Sequence, residues 1–125
     1  MADKAEASTN TTKPPVPLHP VFTVTDIMKQ VRILDGINVT YSAWVKLFKL
    51  YARGYEVIVH INTEPPPEDD PTYARWIKID AVMLQWIYST LSEDYLLRVL
   101  EEPSTTLQAW NWVKDLFHNN KGPVV

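Results

Sequence analysis

The chain has 125 residues, 46% hydrophobic and 22% charged, a composition that fits one folded domain with a single core and not a low-complexity or multidomain chain. The absence of cysteine excludes a disulfide framework, a thiolate zinc site and a cysteine nucleophile. A net charge of −3, with twelve Lys and Arg residues scattered and no basic run, leaves no electrostatic footprint for a phosphate backbone, so direct nucleic-acid binding is not expected.

Residues 1–20 are rich in Ser, Thr, Asn, Ala and Pro and hold little to bury, which predicts a disordered leader that stiffens at Pro14-Pro15-Val16-Pro17. Pro14 with Pro17, and Pro17 with Pro20, have PxxP spacing, for which a stiff leader is the simpler account. The leader has no apolar run of a signal peptide, and no later stretch reaches the roughly 20 apolar residues of a membrane helix. An intracellular, cytoplasmic protein without a membrane partner is expected. The sequons at Asn10 and Asn38 would then never meet the glycosylation machinery.

The helical domain is predicted over residues 21–121, with 122–125 as a tail. VFTV reads as a short extended piece, and Thr25 can cap a short helix through Arg32 that places Ile27, Met28 and Val31 on one side. Asp35-Gly36 marks a turn. From Tyr41 to Arg53 the apolar residues Trp44, Leu47, Phe48 and Tyr51 follow helical spacing, with Thr40 as N-cap and Gly54 as the end or a break. YEVIVHI is ambiguous; its β-branched residues favour a strand, but no partner strand is evident, and a short buried helix is the preferred reading. Pro65-Pro66-Pro67-Glu68-Asp69-Asp70 is a stiff polar connector.

Asp70-Pro71 then opens the longest predicted helix, acid at the N-cap and Pro at the first helical position, extending to about Thr90. Its polar stripe is narrow (Arg75, Lys78, Gln85, Ser89), which marks the centre of a bundle. Ser92 caps a helix with the stripe Tyr95, Leu96, Val99 and Leu100, and Pro103 stops it. Thr105 and Gln108 fit a capping box that opens a last helix with Leu107, Trp110, Val113 or Lys114, and Phe117 on one face. The sum is an all-α fold, a small helical bundle of about five helices. The residues assigned to its core are Trp44, Leu47, Phe48, Trp76, Met83, Trp86, Ile87, Leu96, Leu100, Trp110 and Phe117. Trp112, two residues from Trp110 and therefore on a different face, is the candidate contact for a partner.

The sequence offers little chemistry. His19, His60 and His118 have no second ligand at a metal-binding spacing, and each reads as a surface or half-buried histidine. Three glycines cannot build a phosphate cradle, and no nucleophile elbow or Walker loop occurs. Asp80 is the oddest carboxylate, set on an otherwise apolar helix; a buried functional acid is one reading, and a rim position paired with Lys78, Arg75 or a neighbouring base is preferred. The acids at 64 and 68–70 lack the ligand alternation of a calcium loop. No catalytic residue, cofactor, metal or small-molecule substrate is expected.

Taken together, HPVFTVTDI, LDG followed by Tyr41-Ser42-Ala43-Trp44, LFKLYARGY, the PPP run with acids, IDAVMLQWIYSTLS and LLRVLEEPSTTLQAWNWVKDLFHNNK resemble the N-terminal region of Gag from plant copia-type LTR retrotransposons, over about residue 19 to Lys121. The resemblance implies a helical, capsid-like, non-enzymatic structural domain that self-associates, with itself or with full-length Gag, into a particle. In that family further helices and a Cys/His zinc knuckle follow. Here Gly-Pro-Val-Val follows Lys121 without cysteine, so the chain is expected to be a truncated form, and RNA binding, protease and integrase functions do not carry over. The alternatives are a domesticated adaptor that binds a host protein through the bundle or the Pro-rich leader, and a relic of a retroelement without function.

Overall fold

The computed structural model of the chain describes residues 18–24, 27, 31–100 and 105–118. Most of the leader, the tail and the expected stop at Pro103 lie outside these residues. Among them the chain is mostly helical: a leading 3-10 turn at Pro20–Thr23, α1 at Tyr41–Gly54, a second 3-10 turn at Ile58–Ile61, α2 at Tyr73–Ser89, α3 at Glu93–Val99 and α4 at Thr106–His118. The predicted small helical bundle is the fold. α4 packs along α2, against α3 and against the second 3-10 turn, while that turn also meets α1 and the leading turn meets α2.

Local chemistry accounts for most of the boundaries. The Pro20–Thr23 segment is a 3-10 turn and not extended, because His19 Nδ1 accepts the Val21 N–H at 3.0 Å and the Val24 N–H returns to the Val21 carbonyl. Of the short helix expected over 25–32, only Ile27 and the residues from Val31 on are described; Val31 donates to the Ile27 carbonyl at 2.8 Å and both side chains are buried, whereas Met28 lies outside. The turn at Asp35-Gly36 forms as expected. Asp35 Oδ1 accepts the backbone N–H groups of Ile37, Asn38 and Val39 at 2.9–3.0 Å, and Gly36 sits at φ +78°, where a Cβ would lie 2.8 Å from the Tyr95 hydroxyl. The backbone just after α2 is then clamped to the segment before the turn: Leu34 donates to the Thr90 carbonyl at 2.7 Å and Ser92 to the Leu34 carbonyl at 2.9 Å, an isolated parallel bridge between Leu34 and Leu91.

Thr40 caps α1 by accepting the Ala43 N–H. Gly54 is the last helical residue, yet the left-handed position is two residues on, at Glu56 with φ 63°. Glu56 donates to the Arg53 carbonyl and Val57 to that of Ala52, a Schellman motif closed by the buried pair Ala52 and Val57. The ambiguous YEVIVHI segment follows as the short 3-10 turn, with Val57, His60 and Ile61 buried.

α2 begins later than expected. Asp70 is not its N-cap and Pro71 is not its first residue: Asp70 Oδ1 accepts both the backbone N–H and the hydroxyl of Thr72, at 2.8 and 2.6 Å, and this local turn holds the chain out of the helix until Tyr73. Seventeen residues make α2 about 25 Å long. α3 is short, and Ser92, though it precedes the helix, makes no capping bond with its side chain. Leu100 is corrected outright: it follows the last helical residue, Val99, and is 50% exposed, not part of the core. The capping box of α4 is formed, with Gln108 N–H donating to Thr105 Oγ1 and Thr105 N–H to Gln108 Oε1.

Candidate functional site

Aromatic rings run through the core as one connected series. Tyr95 meets Phe117, which stacks on Tyr41 at 5.1 Å; Tyr41 meets Trp44, which stacks on Trp110 at 5.1 Å and touches Phe48; Phe48 leads to Trp86, against which Tyr51 and Tyr55 pack. Trp44, Phe48, Met83, Trp86, Ile87 and Trp110 are buried, and Leu47, Leu96 and Phe117 are half-buried against them. The buried indole of Trp44 does not go unpaired. Its Nε1–H donates to Thr90 Oγ1 at 3.0 Å, and the Thr90 hydroxyl donates to the Trp86 carbonyl at 2.8 Å.

A second polar node holds the buried 3-10 turn, α2 and α4 together. Asp80 is not at the rim beside Lys78 or Arg75; it is 2% exposed, and its partner is His60, itself 3% exposed and not a surface histidine. His60 Nδ1 lies 3.0 Å from Asp80 Oδ1, Oδ2 accepts the Thr106 N–H at 3.0 Å, and the Thr106 hydroxyl donates to the Asp80 backbone carbonyl at 2.9 Å. Asp80 therefore serves the free N–H at the start of α4 from a neighbouring helix, where the helix dipole favours an anion. Trp76 stacks over the imidazole, ring centroids 4.1 Å apart, which places this expected core residue half-buried beside the node.

An imidazole oriented by a carboxylate is half of a nucleophile-activating arrangement. Among the described residues no hydroxyl lies within hydrogen-bonding distance of His60, and the ring has almost no exposed surface, so the geometry ties elements together rather than presenting a base. No group of three or more His, Cys, Asp or Glu residues that could hold a metal ion occurs among the described residues. No helix there is long and apolar enough to cross a membrane.

The surface differs from expectation at Trp112. Its indole is half-buried, packs on the core and donates from Nε1 to the Arg98 carbonyl at 3.2 Å, so it fastens α4 to α3 instead of standing free. The large apolar side chains that do face outward include Leu97 at 58% and Leu100 on and after α3, Leu50 at 54% on α1, and Ile37 at the tip of the Asp35 turn. Sequence reasoning missed these as well as His60, Thr90 and Thr106. One signal was available for His60: it is the only strongly polar side chain in an apolar run, VIVHI, and such a residue needs a buried partner. Comparison with known proteins adds nothing to the geometry, for no family model, curated protein or solved structure matches the chain.

Proposed function

We propose that this chain is a structural, non-enzymatic, capsid-like domain similar to the N-terminal region of copia-type Gag, and that it works by associating with copies of itself or with a longer Gag chain. One observation carries the reading: the residues that bear the resemblance are the ones the bundle uses for packing and closure. Asp35 and Gly36 of LDG form the turn under Tyr95; Tyr41, Trp44, Trp86 and Trp110 belong to the series of rings; Thr105 and Gln108 cap α4. Motif residues committed to packing suit a protein whose activity lies in its surfaces. Outward leucines on α1 and α3 supply apolar area of the kind that interfaces bury.

Size-exclusion chromatography with light scattering over a wide concentration range, followed by negative-stain microscopy of any heavy fraction, tests the proposal. Discrete oligomers or particles are the expected result. A monomer at every concentration overturns self-association.

A further inference from the structure

α1 carries three cations and no acid: Lys46, Lys49 and Arg53 recur at helical spacing and, with Leu50 among them, form the face opposite Trp44 and Phe48. Lys46, Leu50 and Arg53 are exposed. Among the described residues none of the three cations has a carboxylate within 4.0 Å, since the one ion pair there is His60 with Asp80. The same chain carries the opposite pattern elsewhere. Glu64, Glu68 and Asp69 are exposed around the run Pro65-Pro66-Pro67, and they too have no ion-pair partner among the described residues. A proline run is stiff before binding, so docking it costs little ordering entropy, and its rings offer an apolar surface to a leucine. The stripe and the connector each extend on the order of 10 Å.

We infer that the outward face of α1 docks the acidic, proline-rich connector 64–69 of a second copy of this chain, with Lys46, Lys49 and Arg53 on the carboxylates and Leu50 against the prolines. The inference rests on the self-association proposed above and names the surfaces that carry it. Complementary charge favours this occupant: each copy holds both halves, neither of them ion-paired among the described residues, and a net charge of −3 sets up only weak repulsion between copies. Because the two halves are different surfaces, the contact can join copies in succession as well as in pairs.

The test uses the full chain in three forms: wild type, an α1 variant (Lys46→Glu, Lys49→Glu, Arg53→Glu) and a connector variant (Glu64→Lys, Glu68→Lys, Asp69→Lys), with helical circular dichroism to verify folding. Sedimentation velocity is expected to show that wild type associates, more weakly as salt rises from about 0.05 to about 1 M. Each variant alone is expected to associate at least about tenfold more weakly, and an equal mixture of the two is expected to recover the wild-type level, because each then supplies the charge the other lacks. If wild type associates and the variants do so equally well, or if the mixture recovers nothing, this pairing is wrong while self-association stands on another surface. If wild type is monomeric throughout, both fall. Binding of a labelled single-stranded RNA by wild type that is lost in the α1 variant would overturn the pairing in favour of a nucleic-acid face.

Discussion

Asp80 shows how far a single residue can be read in advance. A carboxylate between Ile79 and Ala81 on an apolar helix is conspicuous in the sequence, where a rim position is the preferred reading, and the structure buries it instead. What the sequence does not supply is the partner, because His60 lies on another element and Thr106 on a third, while Lys78, Arg75 or a neighbouring base are the partners that periodicity offers. Removing the carboxylate strands the buried Thr106 N–H and at once takes the hydrogen-bond partner from the buried His60 Nδ1. Asp80→Ala is therefore expected to destabilise the fold by about 2–5 kcal/mol, measured by urea denaturation. A loss below about 0.5 kcal/mol would mean that the node contributes nothing that water cannot replace.

Elements with strong periodicity and a local cap were legible: α1 with Thr40 and α4 with its capping box form where expected. Ends governed by competing local bonds were not. At α2 the Asp70 side chain bonds Thr72 and delays the helix, and at α3 the last helical residue is Val99, with Leu100 at the cap and exposed. The exit of α1 is the clearest case, since a glycine near the end of a helical pattern suggests the left-handed position and here stands two residues too early. Gly54 has no positive φ, and a methyl group added there would meet only open space, so Gly54→Ala is expected to raise stability by about 0.5–1 kcal/mol. Glu56→Gly relieves a left-handed non-glycine residue and, after the entropy of glycine is subtracted, is expected to gain about 0.5–1 kcal/mol. A fall in the urea midpoint for Glu56→Gly would contradict the Schellman geometry.

At the scale of the whole molecule the all-α class follows from patterning, but closure depends on contacts far apart in sequence, and periodicity carries no information about those. The turn at Asp35 is the example: it reads as a local turn, yet it underlies Tyr95 of α3 and Phe117 of α4, and the adjoining Leu34 clamps the backbone after α2. The amides of Val39 and Ile37, with Asn38 adding, hold the Asp35 carboxyl below its ordinary value of 3.8. A lowered value in the folded chain favours folding above the ordinary value, and that contribution disappears as pH falls through the lowered one. Wild type is thus expected to exceed Asp35→Asn in stability at neutral pH, with the two denaturation midpoints converging as pH drops below about 3.8. Parallel curves across that range would show that the carboxylate charge is immaterial to the turn.

The connected rings also determine how the molecule handles light. Tyr41, Tyr51 and Tyr55 each have an indole as a ring neighbour, with centroids 5.3–6.3 Å apart. At such separations an excited phenol hands its energy to the indole before it can emit. The folded chain therefore quenches these three tyrosines and glows from its tryptophans, and phenolic emission from them returns when the helices separate.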